Sequence, residues 1–233
     1  VECLADALGL GDHELVSIVG GGGKTSTLFA LGRQLRGRVV LTTTTKMSRD
    51  RTDGLEPLIG PTDTALETAL GQDGTVLVWG DATDGKAAGV EPAACDRWYG
   101  MVDHVVVEAD GARRRPMTAP GPFEPVVPRR TTALVACVGA AALGRVIADA
   151  CHRPMRVAAL AGCSPAQRLT PERLAKIVAS PRGLAKGRPD EASYTLLVVG
   201  VTAADRSFVD EVRAEVGDRA RVLGVRHEPV RRR

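Results

Sequence analysis

Aromatic residues are scarce in this 233-residue chain, at 3%. Its core must therefore be built from Val, Leu, Ala and Ile. A surface that reads bases or sugars by stacking is also not expected, because only Trp79, Trp98, Tyr99, Tyr194, Phe29, Phe123 and Phe208 are available for it. Net charge is low as well. At +3, with a pI of about 8.7, the balance does not indicate a nucleic-acid binder. No apolar run approaches about 18 residues, so no membrane span is expected. No secretory signal is expected in these residues either. The five cysteines, Cys3, Cys95, Cys137, Cys151 and Cys163, include no Cys-x-x-Cys pair. An odd number without that spacing points to a reduced, cytoplasmic setting. There is no internal repeat and no low-complexity tract.

What remains is ordinary globular material, 44% hydrophobic and 25% charged. One domain over residues 1–233 is expected, closed by a solvated tail at Arg231 to Arg233. Glu14 to Val19 reads as a short buried strand. Gly20 to Gly23 and Lys24-Thr25-Ser26 follow it. Leu28, Leu31 and Leu35 then mark one face of a helix over Thr27 to Leu35. Arg38 to Thr42 reads as the next strand. This is a strand, glycine-rich loop, helix, strand unit of the parallel α/β type.

Further strands are expected at Thr75–Trp79, Asp103–Glu108, Thr132–Val138, Tyr194–Val201 and Arg221–Val225. A helix is expected around Thr64 to Leu70, a turn or hairpin over Gly80 to Gly89, and a helical stretch around Ala140 to Ala150. Thr170-Pro171-Glu172 is a helix start, with a hydroxyl cap, Pro at the first position and an acid in the first turn. That helix runs to about Ala179. Another covers Arg206 to Val216 and stops at Gly217. Between Asp110 and Pro128, repeated Pro rules out regular helix. This reads as a Pro/Arg-rich functional loop inserted near residues 110–130. The fold class expected is a three-layer, P-loop NTPase-like α/β structure, its mainly parallel sheet covered by helices on both faces.

Three motifs carry chemistry. The first is Gly20-Gly21-Gly22-Gly23-Lys24-Thr25-Ser26, between a strand and a helix. Glycines let backbone N–H groups converge on phosphate oxygens without a Cβ in the way. The helix N-terminus adds partial positive charge. Lys24 reaches the terminal phosphates, and the Thr25 hydroxyl suits a Mg²⁺ shell. The spacing departs from G-x-x-x-x-G-K-[ST], since Ile18 stands where the first Gly belongs. It fits the shorter G-x-x-G-K-T, similar to the loop of Mur-type ligases. The second motif, Thr42-Thr43-Thr44-Thr45-Lys46, ends a strand at the ligand-binding edge of such sheets. There Thr43 is a candidate for Mg²⁺-bound water or substrate phosphate.

The third motif is Val105-Val106-Val107-Glu108-Ala109-Asp110, an apolar strand ending in acids, as a Walker B element does. Strand alternation puts Glu108 and Asp110 on one side. Two such carboxylates repel unless a cation lies between them, and Mg²⁺ meets that need. One carboxylate binds metal and one positions a water or hydroxyl. Arg113-Arg114-Arg115 follow, with Arg113 the candidate for a phosphate contact.

Together these residues resemble the YqeC-type family, accessory proteins of selenium-dependent molybdenum hydroxylases. The resemblance covers about Leu15 to Asp205. It rests on Val19 to Thr25, Thr42 to Met47, Val107 to Arg113, Glu124-Pro-Val-Val-Pro128 and His152-Arg-Pro154. It implies a P-loop nucleotide-binding protein associated with maturation of a selenium or molybdenum cofactor. His152 and Arg153 would belong to the family's own substrate site. Two departures stand out. Members often carry a guanine-reading Asn-Lys-x-Asp element, and here Thr202-Ala-Ala-Asp205 stands in its place. A Lys expected after Arg115 is replaced by Thr118.

The leading expectation is therefore a Mg²⁺-dependent NTPase, using ATP or another NTP, that assists a molybdenum hydroxylase or handles its pterin cofactor. Lys24, Glu108 and Asp110 would be its catalytic groups. Two alternatives stay open. One is an ATP-dependent small-molecule kinase or ligase. The other is a nucleotide-gated binding module without turnover. Neither nucleic acid nor membrane is an expected partner.

Overall fold

Continuous runs of Val, Leu and Ile make strands that can be buried on both faces, as parallel strands between helical layers are. A computed structural model describes residues 3–83 and 86–226. Its main sheet has eight strands, all paired in parallel. From one edge to the other the order is Arg221–Val225, Ser193–Val199, Ala133–Gly139, Glu14–Gly20, His104–Glu108, Val39–Thr43, Thr75–Trp79 and Leu58–Ile59. The strand leading into the glycine loop is thus central, and the acid-ended strand lies directly beside it. Their register pairs Ile18 with Glu108. That register brings the acids level with the start of the glycine loop.

Side-chain alternation splits the core into two layers. Leu15, Val19, Val105, Val107, Leu134 and Ala136 face one way. They pack under the helices Asp63–Leu70, Pro92–Trp98, Pro154–Ala161, Pro171–Ala179 and Arg206–Val216. Val16, Ile18, Val106, Val135 and Cys137 face the other way, under Leu4–Leu8 and Lys24–Gln34. Leu15, Ile18, Leu28 and Leu31 are fully buried, each stabilising by about 1.5–3 kcal/mol. The three-layer α/β architecture expected from the sequence is the one observed.

Several local signals act as read. The Thr170 hydroxyl accepts the Arg173 N–H at 3.3 Å and caps its helix. Gly217, at φ +56°, ends the helix Arg206–Val216. Asp81–Thr83 and Lys86–Ala88 pair as an antiparallel hairpin, extended by Met47–Ser48. The expected helix over Ala140 to Ala150 is instead a 3₁₀ turn at Ala140–Ala142 and a short helix at Ile147–Ala150. Gly144, at φ +65°, reverses the chain between them. The helices Pro92–Trp98 and Pro154–Ala161 were not expected. Each begins on a proline that reads as loop but serves as the first helical residue. The tail Arg231 to Arg233 lies outside the described residues.

His104 opens the acid-ended strand, buried and with its Nδ1 unpartnered among the described residues. Burial holds its pKa below the usual 6.5, against the opposing pull of Asp103 and Glu14. The folded state therefore favours the neutral ring. This contribution is fully present above 6.5 and is lost as the pH falls below it, where the unfolded chain takes up the proton first. Urea unfolding from about pH 8 to about pH 5 is expected to show that loss. His104→Gln is expected to flatten it. Parallel wild-type and variant profiles would contradict the assignment.

Candidate functional site

The site begins with four glycines that have no room for side chains. A Cβ on Gly20 would lie 2.3 Å from the Cys137 carbonyl oxygen, and one on Gly22 2.6 Å from the Gly139 nitrogen. On Gly21 it would meet the Arg115 carbonyl oxygen at 2.8 Å, and on Gly23 the Val199 side chain at 2.6 Å. Gly20, Gly22 and Gly23 also take positive φ. Close approach and conformation together require glycine here. The loop delivers the chain into the helix Lys24–Gln34, whose N-terminus has no side-chain cap. Thr27 N–H makes the first helical bond, to Gly23 at 2.8 Å. The earlier N–H groups of that helix lie outside its ladder and leave an electropositive end.

Lys24 folds back under this loop and is 5% exposed. Its Nζ donates to the Gly20 carbonyl at 2.6 Å. It lies 3.1 Å from Asp110 Oδ1 and 3.8 Å from Glu108 Oε1. The Asp110 Oδ1 contact is an ion pair without directed hydrogen-bond geometry. The other Asp110 oxygen accepts the Gly20 N–H at 2.8 Å. Glu108 Oε2 accepts the Thr25 hydroxyl at 2.8 Å. All three sequence motifs meet at this point, since the Thr43 hydroxyl donates to the Glu108 carbonyl at 2.8 Å.

Burial alone would lower the Lys24 pKa, but Asp110 and Glu108 outweigh it and hold it above its ordinary value. In the two carboxyls burial prevails. Burial pushes both above the usual carboxylate range, and Lys24 only partly restores them. One ammonium does not fully balance two sealed carboxylates. The acids differ in access. The Asp110 side chain is 2% exposed and Glu108 14%. Asp110 braces the glycine loop from inside, while Glu108 reaches the hydroxyl at the open helix end.

The other expected residues fall into place around this cluster. Ser26 is half-buried in the first helical turn. Thr43 is fully buried. Its hydroxyl also accepts the Thr45 N–H at 3.1 Å, so it braces the strand end and Glu108. Arg113 and Arg114 are exposed, and both take left-handed backbone, φ +48° and +60°. Two such non-glycine residues in succession cost about 1–3 kcal/mol each. Arg115 is tied to the Asp149 carbonyl.

Thr118 is fully buried, its hydroxyl 3.3 Å from His152 Nδ1. Burial, then Arg153 and Arg113, hold His152 below its usual pKa. Asp205 closes its own 3₁₀ turn. It accepts the Thr202 N–H at 2.8 Å and hydroxyl at 2.6 Å. Among the described residues, no group of three or more His, Cys, Asp and Glu is arranged to hold a metal ion.

Sequence reasoning missed what holds the Pro-rich loop. Lys186 donates to the carbonyls of Gly121, Pro122 and Glu124 at 2.6–2.9 Å. Arg153 pairs with Glu124, and Arg156 bonds the Pro120 carbonyl at 2.9 Å. A lysine distant in sequence, bound only to carbonyl oxygens, leaves no local pattern to read. The first half of this loop rests on the glycines, and the Pro116 carbonyl accepts the Gly139 N–H at 2.7 Å.

Packing and backbone conformation at the glycines can be separated. Gly20→Ala meets both the Cys137 carbonyl and a positive φ, and is expected to lose about 3 kcal/mol in urea unfolding. Gly54 has φ +85° but open space around it. Gly54→Ala is expected to lose only about 1 kcal/mol. Equal losses would contradict the close packing of the loop.

Comparison with known proteins agrees with the motif set. The profile of the YqeC protein family matches residues 16–155. The Escherichia coli (strain K12) protein named "Uncharacterized protein YqeC" is 32% identical over 185 residues, covering 75% of this chain and 71% of that one. No solved structure matches. The chain belongs to the YqeC family.

Proposed function

We propose that this chain is a Mg²⁺-dependent, P-loop nucleotide-binding protein that hydrolyses an NTP. The observation that carries the reading is Lys24, buried against Gly20, Asp110 and Glu108 beneath an uncapped helix N-terminus. Its carboxylate partners offset the cost of burying it. On this reading Lys24 leaves the Gly20 carbonyl to meet phosphate oxygens. The N–H groups at the head of the helix bind the same oxygens.

The donor set suits Mg²⁺. The Thr25 hydroxyl and Glu108 carboxylate are hard oxygen donors 2.8 Å apart. Glu108 keeps some solvent access, which leaves room for the waters that Mg²⁺ retains. Thr25 and Glu108 are the residues that would hold the ion, and it would supply charge neutralisation at the phosphates. Asp110 acts one step back, by holding Gly20 and Lys24 in place. Thr43 fixes the Glu108 backbone. Arg113 and Arg114 make no hydrogen bond or ion pair with the described residues. On this reading they are free to turn toward a bound phosphate.

Asp205 is committed to its own turn. That supports ATP or another NTP over a guanine-specific site. The YqeC-type resemblance supports setting this nucleotide cycle in maturation of a molybdenum hydroxylase, with selenium or pterin cofactor as its cargo.

Calorimetric titration with ATP, GTP and CTP, with and without Mg²⁺, tests the reading. One nucleotide is expected to bind, and Lys24→Ala to weaken it roughly tenfold to hundredfold. Thr25→Ala is expected to abolish the gain from Mg²⁺ while sparing Mg²⁺-free binding. Well-folded protein that binds no nucleotide would overturn the proposal.

A further inference from the structure

A cleft of about 440 Å³ opens beside the acid pair. Its lining includes Thr44, Thr45, Lys46, Gly89, Gly111 and Glu124. Backbone contacts tie the cleft lining to the acid-ended strand. Thr44 N–H donates to the Glu108 carbonyl at 3.2 Å, and Gly111 directly follows Asp110. It sits over the strands His104–Glu108 and Val39–Thr43. The glycine loop, by contrast, meets Val199 on its other flank, at Gly23. The cleft therefore lies on the side of the loop away from the late strands.

Its walls are fixed. A Cβ on Gly89 would lie 2.4 Å from the Thr44 carbonyl carbon and 2.5 Å from the Thr45 nitrogen. The hairpin thus packs directly on the threonine turn. The Thr44 hydroxyl is bound to the Val126 carbonyl at 2.7 Å, which ties that turn to the Pro-rich loop. Glu124 is oriented from two sides. Its Oε1 accepts the Gly111 N–H at 3.3 Å, and its Oε2 pairs with Arg153. Lys46 is exposed and makes no ion pair with a described residue.

The lining thus has two chemical ends. Lys46, exposed at the end of the threonine turn, suits an anion. Glu124, held by donors but with lone pairs to spare, suits a hydroxyl or amine. We infer that this cleft is the subsite for a second substrate, a small molecule with a phosphate or carboxylate at one end and a hydroxyl or amine at the other. The inference rests on the nucleotide reading, because that reading gives the cleft a phosphate to face.

Inorganic phosphate is the probe for the anionic end. Backbone amide NMR of the ¹⁵N-labelled protein would be followed, first with MgADP and then with added phosphate. MgADP is expected to shift Gly21 to Ser26. Phosphate added to that complex is expected to produce saturable shifts at Thr45, Lys46, Gly89 and Gly111. Lys46→Ala is expected to weaken the phosphate response roughly tenfold. Because Lys46 is exposed, this variant should keep the wild-type spectrum elsewhere. Lys24→Ala is expected to spare the phosphate response. No saturable shift at the cleft amides, or one unchanged by Lys46→Ala, would overturn the inference. A failed MgADP response with an intact phosphate response would instead remove the nucleotide reading and leave the anion site standing.

Discussion

The structure is organised around a charge imbalance. One ammonium, Lys24, is held between two carboxylates, the buried Asp110 and the partly exposed Glu108, at the carboxyl edge of the sheet. Burying such groups costs several kcal/mol per ion, and pairing seldom more than offsets it. The carboxyl pKa values, both pushed up by burial, reflect what pairing leaves unsettled. A fold selected for stability alone would fill this space with apolar side chains. The cluster carries an excess of negative charge, and a cation beside Glu108 would relieve it.

The rest of the architecture serves that cluster. Parallel pairing in the register Ile18 to Glu108 sets Asp110 level with Gly20. The hydrogen bond between those two residues then locks the loop to the acid strand. Thr43, one strand further, holds the Glu108 backbone. The Pro-rich loop leaves the site at Asp110, crosses over the glycines at Arg115 to Met117, and returns to Glu124 under the grip of Lys186 and Arg153. It is held at both ends of its path, so its arginine turn is a fixed part of the site. The left-handed backbone at Arg113 and Arg114 is sustained by that anchoring.

Much of this was legible in the sequence because the signals are local. Apolar runs named the strands, and a hydroxyl followed by Pro and an acid named the helix at Thr170. Alternation along Val105 to Asp110 put both acids on one side, and they do meet at Lys24. The helices at Pro92 and Pro154 are not legible in the sequence because proline signals both a loop and a first helical turn. The division between Glu108 and Asp110 was not legible, since it depends on how deeply each is buried. The role of Lys186 was hidden for a similar reason. Its partners are carbonyl oxygens more than sixty positions away, and carbonyls leave no residue signature. Glu124 belongs to the Glu124-Pro-Val-Val-Pro128 motif, but its place beside Gly111 and Lys46 emerges only when the threonine turn, the hairpin and the loop converge.

On the proposed nucleotide reading, Lys24 is stored against Asp110, Glu108 and Gly20 until phosphate replaces them. The side-chain ¹⁵Nζ resonance of Lys24 tests it most directly, in a chain whose other lysines are Lys46, Lys86, Lys176 and Lys186. In the free protein this ammonium should exchange slowly with solvent and respond to Asp110→Asn. On adding Mg²⁺ with the nucleotide that binds, its resonance should move and couple to phosphorus. A Lys24 ammonium in fast solvent exchange, or one unmoved by saturating nucleotide, would contradict the account.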